Sequence, residues 1–199
     1  PCRPENLKAM TITNAFLYHA KRQPDKVAIA DQIAGVKTYR DMVLAIMLLK
    51  KHFMRLDGDY IGIMLPASAT VSIVYLAVLF AGKVPVMINW TGGIRNLKHS
   101  LDSLKVKRII TAQALVTRIE SQGIDLSELK NDFVLLEELR KKIGLLDKLY
   151  ALVKSRISWS DLTNTSIQET AAVLFTSGSE NLPKAVPLTH KNILTNISD

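Results

Sequence analysis

Hydrophobic and polar positions fall into short blocks at the start of the chain and then settle into a repeating rhythm. Residues 15–19, with Leu17 and Tyr18, suggest a short helix that stops before Pro24, whose ring disfavours helix in the preceding residue. The β-prone runs 27–30 and 36–38 flank Gly35 in the manner of a hairpin. From 39 to 53 the apolar residues Met42, Val43, Ile46, Leu49 and Phe53 recur at helical spacing. Strand-like and helix-like segments then alternate: a buried strand over 61–65, an apolar helix over 69–81, a strand over 84–88, a helix over 94–104 with Leu97 and Leu101 inward, and a strand over 108–111. Residues 133–136 extend the series, and 171–175 are a further apolar strand. Strands and helices alternating through short connections make βαβ units, so the predicted fold class is α/β, a mostly parallel sheet flanked by helices.

Two stretches depart from this rhythm. Residues 60–82 carry no charge and are long enough to cross a bilayer, but Pro66, Ser68, Thr70 and Ser72 interrupt them, and a strand, a turn and a buried helix account for them better. Between 137 and 157 the residues Leu139, Ile143, Leu146, Tyr150, Val153 and Ile157 recur every three or four positions, while Arg140, Lys141, Lys142, Lys148, Lys154 and Arg156 supply positive charge. This is a basic amphipathic helix that Gly144 weakens and divides. Its apolar stripe either packs on the core or lies against an anionic membrane or an acidic partner.

Composition narrows the classes. Of 199 residues 48% are hydrophobic and 22% charged, which is a globular composition and excludes collagen-like, coiled-coil and disordered chains. The single cysteine, Cys2, provides neither a disulfide framework nor a Cys/His metal cluster, and it points to a reducing compartment. The chain opens on Pro1 without a signal segment, as a piece of a longer protein would. Lys and Arg exceed Asp and Glu by 26 to 18, giving a formal charge of +8 and a positive field over part of the surface. No nucleic-acid motif accompanies that charge, so no nucleic acid is expected as a partner.

The densest chemistry follows the strand over 171–175. Thr176, Ser177, Gly178, Ser179, Glu180, Asn181, Leu182, Pro183 and Lys184 crowd hydroxyls, a glycine and a lysine at a strand end, where ligands bind in α/β proteins and where phosphate oxygens find donors. A polar turn between two strands is the plainer reading of the same residues. The P-loop pattern of nucleoside triphosphatases does not fit, because Pro183 replaces its second glycine and Ala185 its magnesium-binding hydroxyl residue.

Thr176, Ser177, Gly178, Ser179, Pro183 and Lys184 resemble the phosphate-binding signature of the adenylate-forming superfamily of acyl- and aryl-CoA synthetases, luciferases and peptide-synthetase adenylation domains. Asn181 and Ala185 stand where that signature usually has glycine. Asn enters the left-handed backbone region readily, whereas Ala does so only at a cost of roughly 1–2 kcal/mol. The run 76–89, through Ala81-Gly82 into Val84, resembles the superfamily's next common segment, and residues 94–111 and 186–192 are similar to further parts of it. Asn89-Trp90-Thr91-Gly92-Gly93, residues 174–180 and Thr189-His190-Lys191 look most like the acyl-ACP synthetase half of bacterial bifunctional 2-acylglycerophosphoethanolamine acyltransferase/acyl-ACP synthetases.

The resemblance implies that residues 1–199 are the N-terminal part of an AMP-binding large domain, with the small C-terminal domain absent from this chain. It implies activation of a fatty acid by ATP with Mg2+, and transfer of the acyl group to the thiol of acyl carrier protein, or alternatively of CoA, linked to lysophospholipid reacylation, in the cytoplasm or at the cytoplasmic face of the inner membrane. Thr176, Ser177, Gly178, Ser179, Glu180, Asn181 and Lys184 would bind the ATP phosphates, while no residue of the chain is assigned as catalytic and the chain alone is expected to be inactive. The rival reading is a non-catalytic α/β module that binds an acidic partner or a membrane surface.

Remaining candidates have structural explanations. His52 and Asp57 have the spacing of an acyltransferase His-x4-Asp pair, yet no further acyltransferase motif follows and a helix end with its turn suffices. His190 either shapes the nucleotide site or begins the last helix beside Asn192. His19 and His99 read as helix-surface residues, and Trp90 as packing.

Overall fold

Local capping signals start the helices. The computed structural model describes residues 10–32, 34–176 and 182–198. Helix α1 (Ile12–Arg22) begins at Thr11, whose hydroxyl accepts the Asn14 N–H at 3.1 Å, so it is longer than the predicted 15–19 and ends just before Pro24. Strands β1 (Val27–Asp31) and β2 (Gly35–Thr38) form the expected hairpin. Helix α2 (Tyr39–Phe53) opens with a capping box: Thr38 Oγ1 accepts the Asp41 N–H at 3.2 Å and Asp41 Oδ2 accepts the Thr38 N–H at 2.9 Å. The uncharged stretch is strand β3 (Tyr60–Ile63) followed by helix α3 (Ala69–Phe80), and among the described residues no helix is long and apolar enough to cross a membrane.

The chain continues through β4 (Val84–Met87), α4 (Gly93–Ser103), β5 (Arg108–Thr111), α5 (Gln113–Ser121), a 3-10 turn over Ser127–Asp132 and β6 (Phe133–Leu135). It then runs through α6 (Leu136–Lys142), α7 (Leu145–Ile157), α8 (Ser160–Thr163), β7 (Thr170–Phe175), β8 (Ala185–Thr189) and α9 (His190–Ser198). Six strands form one sheet in the order β6-β5-β3-β4-β7-β8, parallel except for the edge strand β8, which is antiparallel to β7. The predicted α/β class therefore holds.

Alternating side chains of these strands feed two cores. Ile61, Ile63 and Ile110 join Met42, Val43, Ile46 and Phe53 of α2 and Val74, Ala77 and Phe80 of α3 on one face. Val86, Ile109 and Val173 join Leu97 and Leu101 of α4 and Val116 and Ile119 of α5 on the other. Covering both faces is what a parallel sheet requires. At Gly62 a Cβ would come within 3.2 Å of Ile109 and 3.4 Å of Ile88, so the absence of a side chain lets the second core close over β3.

The sequence pattern did not foresee Lys50, which is buried on α2. Its ammonium donates to the Asp161 carbonyl and, at 2.5 Å, to Thr165 Oγ1, clasping α8 to α2. Burial holds its pKa below the ordinary lysine value, against the pull of the Asp161 charge.

The basic amphipathic segment differs from a stripe packed on the core. It divides at Gly144, whose N–H donates to Asp147 Oδ2 at 3.3 Å, while Asp147 Oδ1 pairs with Lys51 at 2.9 Å. That break resets the helical phase. Leu139 of α6 is buried, but α7 buries only Ala151 and Ser155, and the expected stripe residues Leu146, Tyr150, Val153 and Ile157 are exposed. Small residues permit close approach to α2, and the large ones are left facing outward.

Helix α3 ends in a Schellman motif: the Gly82 N–H donates to Leu79 O at 2.9 Å and the Lys83 N–H to Val78 O at 3.2 Å, with Gly82 at φ +75°. A Cβ there would stand 3.1 Å from Ser166 O. Gly82→Ala is expected to lower stability by about 1–2 kcal/mol, read as a shift in the urea unfolding midpoint with unchanged slope.

Candidate functional site

The parallel sheet places two strand ends side by side. Val86 is in register with Val173, so Ile88-Asn89, leaving β4, run level with Phe175-Thr176, leaving β7. After β4 the chain departs through α4 to β5 on the far side of β3, whereas after β7 it turns outward to β8. Neighbouring strands whose connections part in this way open a crevice at their carboxyl ends, the usual ligand position in α/β sheets. A cavity of about 260 Å³ lies there, lined by Asn89, Thr91, Gly92, Asn96, Ser100, Phe175, Thr176 and Pro183 among others, and among the described residues no acidic side chain lines it.

Each polar group in the crevice is held by its neighbours. Asn89 Oδ1 accepts the Thr91 N–H at 3.0 Å and the Thr91 hydroxyl at 2.7 Å, which turns the chain into α4. Asn96 Nδ2 donates to Gly92 O at 3.0 Å, and Ser100 Oγ donates to Asn96 O at 2.8 Å. Sequence reasoning missed Asn96 and Ser100. Their signal was an i, i+4 polar pair beside the inward Leu97 and Leu101, which places them on one side of the helix next to the core.

The sequence-predicted loop leaves this crevice. The Thr176 N–H donates to Lys184 O at 3.1 Å, and the Lys184 N–H donates to Thr176 Oγ1 at 3.1 Å. These two bonds close the mouth of the loop and leave the hydroxyl hydrogen of Thr176 to donate. Thr176 and Lys184 are exposed, and Pro183, which lines the cavity together with Thr176, is buried. Ser177, Gly178, Ser179, Glu180 and Asn181 lie outside the described residues. The loop joins two antiparallel strands instead of a strand and a helix, which agrees with the exclusion of the nucleoside-triphosphatase P-loop.

The residues at the loop ends and crevice fit a polyphosphate. The Lys184 ammonium and hydroxyl and amide donors are present, and among the described residues no carboxylate lines the crevice. Among the described residues no group of three or more His, Cys, Asp or Glu side chains could hold a metal ion. A hard cation such as Mg2+ would be held there chiefly by phosphate oxygens and water.

Histidines fall outside the crevice. Thr170 pairs with Thr189, so His190 stands at the opposite end of β7 from Thr176. It is buried, its Nδ1 accepts the Ile12 N–H at 3.1 Å, and its Nε2 lies 3.1 Å from Gln168 O. An accepting Nδ1 requires the proton on Nε2, which then donates to Gln168. His190 thus satisfies the first free N–H of α1 and begins α9, where Thr189 and Asn192 cap each other. Asp57 accepts from Arg108 at 3.4 Å, and the acid facing His52 is Asp147, so His52 and Asp57 form no acyltransferase pair. His52 borders a separate groove of about 740 Å³ between α2, α7 and α8. His19 stacks on Tyr39 with centroids 6.5 Å apart, His99 is half-buried, and Trp90 packs into the second core.

Comparison with known proteins extends this picture. The profile of the AMP-binding enzyme family matches residues 16–199. The chain is 34% identical over 193 residues to the medium-chain fatty-acid–CoA ligase of Escherichia coli (strain K12), covering 88% of this chain and 32% of that protein. It is 27% identical over 133 residues to the medium/long-chain-fatty-acid–CoA ligase FadD6 of Mycobacterium tuberculosis, covering 67% of this chain and 21% of that one. The chain thus spans about a third or less of these relatives' length. Among solved structures, VinN superposes with a TM-score of 0.72 at 17% identity, covering 95% of this chain and 48% of that one. The N-terminal subdomain of Klebsiella oxytoca NpsA superposes with a TM-score of 0.66 at 21% identity over 92% of this chain and 43% of its own. These two show the shared fold.

The His190 geometry generates a pH dependence. Burial lowers its pKa, partly offset by the bond to Gln168, and burial lowers that of His52 as well. A depressed histidine contributes stability that is fully present above its unfolded value, about 6.5, and is lost as pH falls below it. Urea midpoints should therefore decline from pH 7 to pH 5.5, and His190→Gln should reduce that decline, leaving the share due to His52. An unchanged pH slope in the variant would contradict this assignment.

Proposed function

Because the chain belongs to the AMP-binding enzyme family, we propose that the whole protein is an AMP-forming ligase that activates a fatty acid with ATP and passes the acyl group to a phosphopantetheine thiol. The observation that carries this reading is the clasp of Thr176 and Lys184, the two ends of the signature loop, at the crevice between β4 and β7. In this reaction the fatty-acid carboxylate displaces pyrophosphate from the α-phosphorus of ATP, and the thiol then displaces AMP from the acyl group.

The residues of this chain serve the first step through position and charge. Lys184 neutralises charge on the departing pyrophosphate, and the Thr176 hydroxyl donates to a phosphate oxygen while its own oxygen holds the loop closed. Ser177, Gly178, Ser179, Glu180 and Asn181 complete the phosphate contacts in this reading. Mg2+ supplies charge compensation to the same phosphates. Acyl carrier protein is the proposed acceptor, linked to lysophospholipid reacylation. The branch-level motifs support it, as does the formal charge of +8, which suits an acidic carrier. The two fatty-acid relatives are named as CoA ligases, and CoA is the alternative acceptor.

Fatty-acid-dependent ATP–pyrophosphate exchange tests the reading. The whole protein should exchange with a preferred chain length, Lys184→Ala should reduce exchange by about a hundredfold, and the 199-residue chain alone should give none. Adding carrier protein or CoA to the preformed acyl-adenylate then identifies the acceptor. No exchange with any acid would overturn the ligase and favour the non-catalytic module.

A further inference from the structure

The apolar side of α7 faces away from the molecule. Leu145, Leu146 and Ile157 are 82%, 81% and 78% exposed, and Leu149, Tyr150 and Val153 are exposed as well. At 3.6 residues per turn, Leu149, Val153, Leu146, Ile157 and Tyr150 fall on the arc opposite Ala151 and Ser155, the two residues that the helix buries. A helix lying on a domain surface ordinarily turns its polar side to water, so this one is inverted. Contiguous apolar surface of this kind marks a docking site.

Charge identifies what it docks on. Lys148 lies at one border of the apolar arc, Lys154 at the other, and Arg156 beside Leu149, while Arg140, Lys141 and Lys142 are exposed just upstream. Asp147 is engaged by Lys51, Glu137 accepts from the Gln113 N–H, Glu138 sits at the start of α6, and Asp161 stands at the Tyr150 end of the patch, accepting from the Tyr150 hydroxyl at 3.4 Å and lying 3.9 Å from the Lys154 ammonium, so among the described residues these acids lie off the arc of Leu146, Leu149, Val153 and Ile157. Exposed Met54 and its neighbour Arg55 border the same groove as Tyr150 and extend the patch onto the end of α2. An aliphatic ridge bordered by cations on flexible stems is the arrangement of a helix that lies in a bilayer interface. The ridge reaches the acyl region and the cations reach the headgroups. We propose that α7 docks the protein on an anionic phospholipid surface.

The inference does not depend on the ligase reading, and sedimentation with vesicles reads it without any activity. The full-length protein should sediment with phosphatidylcholine vesicles containing phosphatidylglycerol, far less with phosphatidylcholine alone, and less as salt is raised. The double variant Leu149→Ser/Val153→Ser should partition roughly tenfold more weakly, and Lys148→Glu/Arg156→Glu at least tenfold more weakly on the anionic vesicles. Both should keep the wild-type Tm, since the altered side chains face outward. Failure of the wild type to bind anionic vesicles, or wild-type binding by both variants, would overturn the proposal. So would self-association that the serine variant abolishes without vesicle binding, since a second copy would then be the occupant. A marked loss of Tm in the variants would assign the face to another part of the same protein, and binding of acidic carrier protein in place of vesicles would assign it to that partner.

Discussion

The parallel pairing of β4 with β7 is the contact on which the site depends. It joins a strand from the first half of the chain to the strand that carries the signature loop, and it rests on one registered pair, Val86 with Val173. Sequence accounts for that economy. The N–H groups of Val84 and Ile88 donate to Asp59 O and Ile63 O on the β3 side, so the intervening odd-numbered positions face β7, and there Pro85 has no N–H to give. Side chains compensate: Val84, Val86, Ile88 and Val173 are buried in one core with Leu97 and Leu101. Packing more than hydrogen bonding therefore keeps the crevice at its width.

The loop ends and the helix start share that crevice for a topological reason. Chain leaving β4 must cross to β5 while chain leaving β7 goes on to the edge strand β8, and the connections part at these two strand ends. Into the crevice come donors whose own oxygens are already committed, Asn89 to Thr91 and Thr176 to Lys184, while Ser100 spends its hydroxyl hydrogen on the Asn96 carbonyl and braces the helix start. Groups fixed in advance lose little freedom when an anion arrives, which is the basis of electrostatic preorganisation. Lys184 brings the formal charge, and being exposed it keeps its hydration until a ligand replaces it.

Away from the site, two buried cationic or titratable side chains bind distant segments together. Lys50 ties α2 to α8 through the Asp161 carbonyl and Thr165, and His190 ties α9 and β7 to the start of α1. Both are buried among groups that satisfy them, and both are held toward the neutral form by desolvation. They explain how α1 and the segment 160–166 are attached to the sheet without strands of their own. Helix α7 is fastened more lightly, through Ala151, Ser155 and the Lys51–Asp147 pair, which leaves its large apolar residues outside.

By itself the sequence determined the α/β alternation, the positions of β3, α3, β4, α4 and β5 to within a residue or two, the division of the basic segment at Gly144, and the signature residues from Thr176 to Lys184. Those features arise from local periodicity, turn chemistry and short motifs, each confined to a few neighbouring residues. Only the tertiary structure decided that β7 lies beside β4, that Asn89, Asn96 and Ser100 face the same cavity as Thr176, that Lys50 is buried, and that His190 fastens α1 at the far end of its strand. It also decided which side of α7 faces inward. Periodicity shows that a helix has an apolar side but not where the rest of the molecule stands. Here the small residues Ala151 and Ser155 permit the close approach to α2, and the large residues are left to the surface.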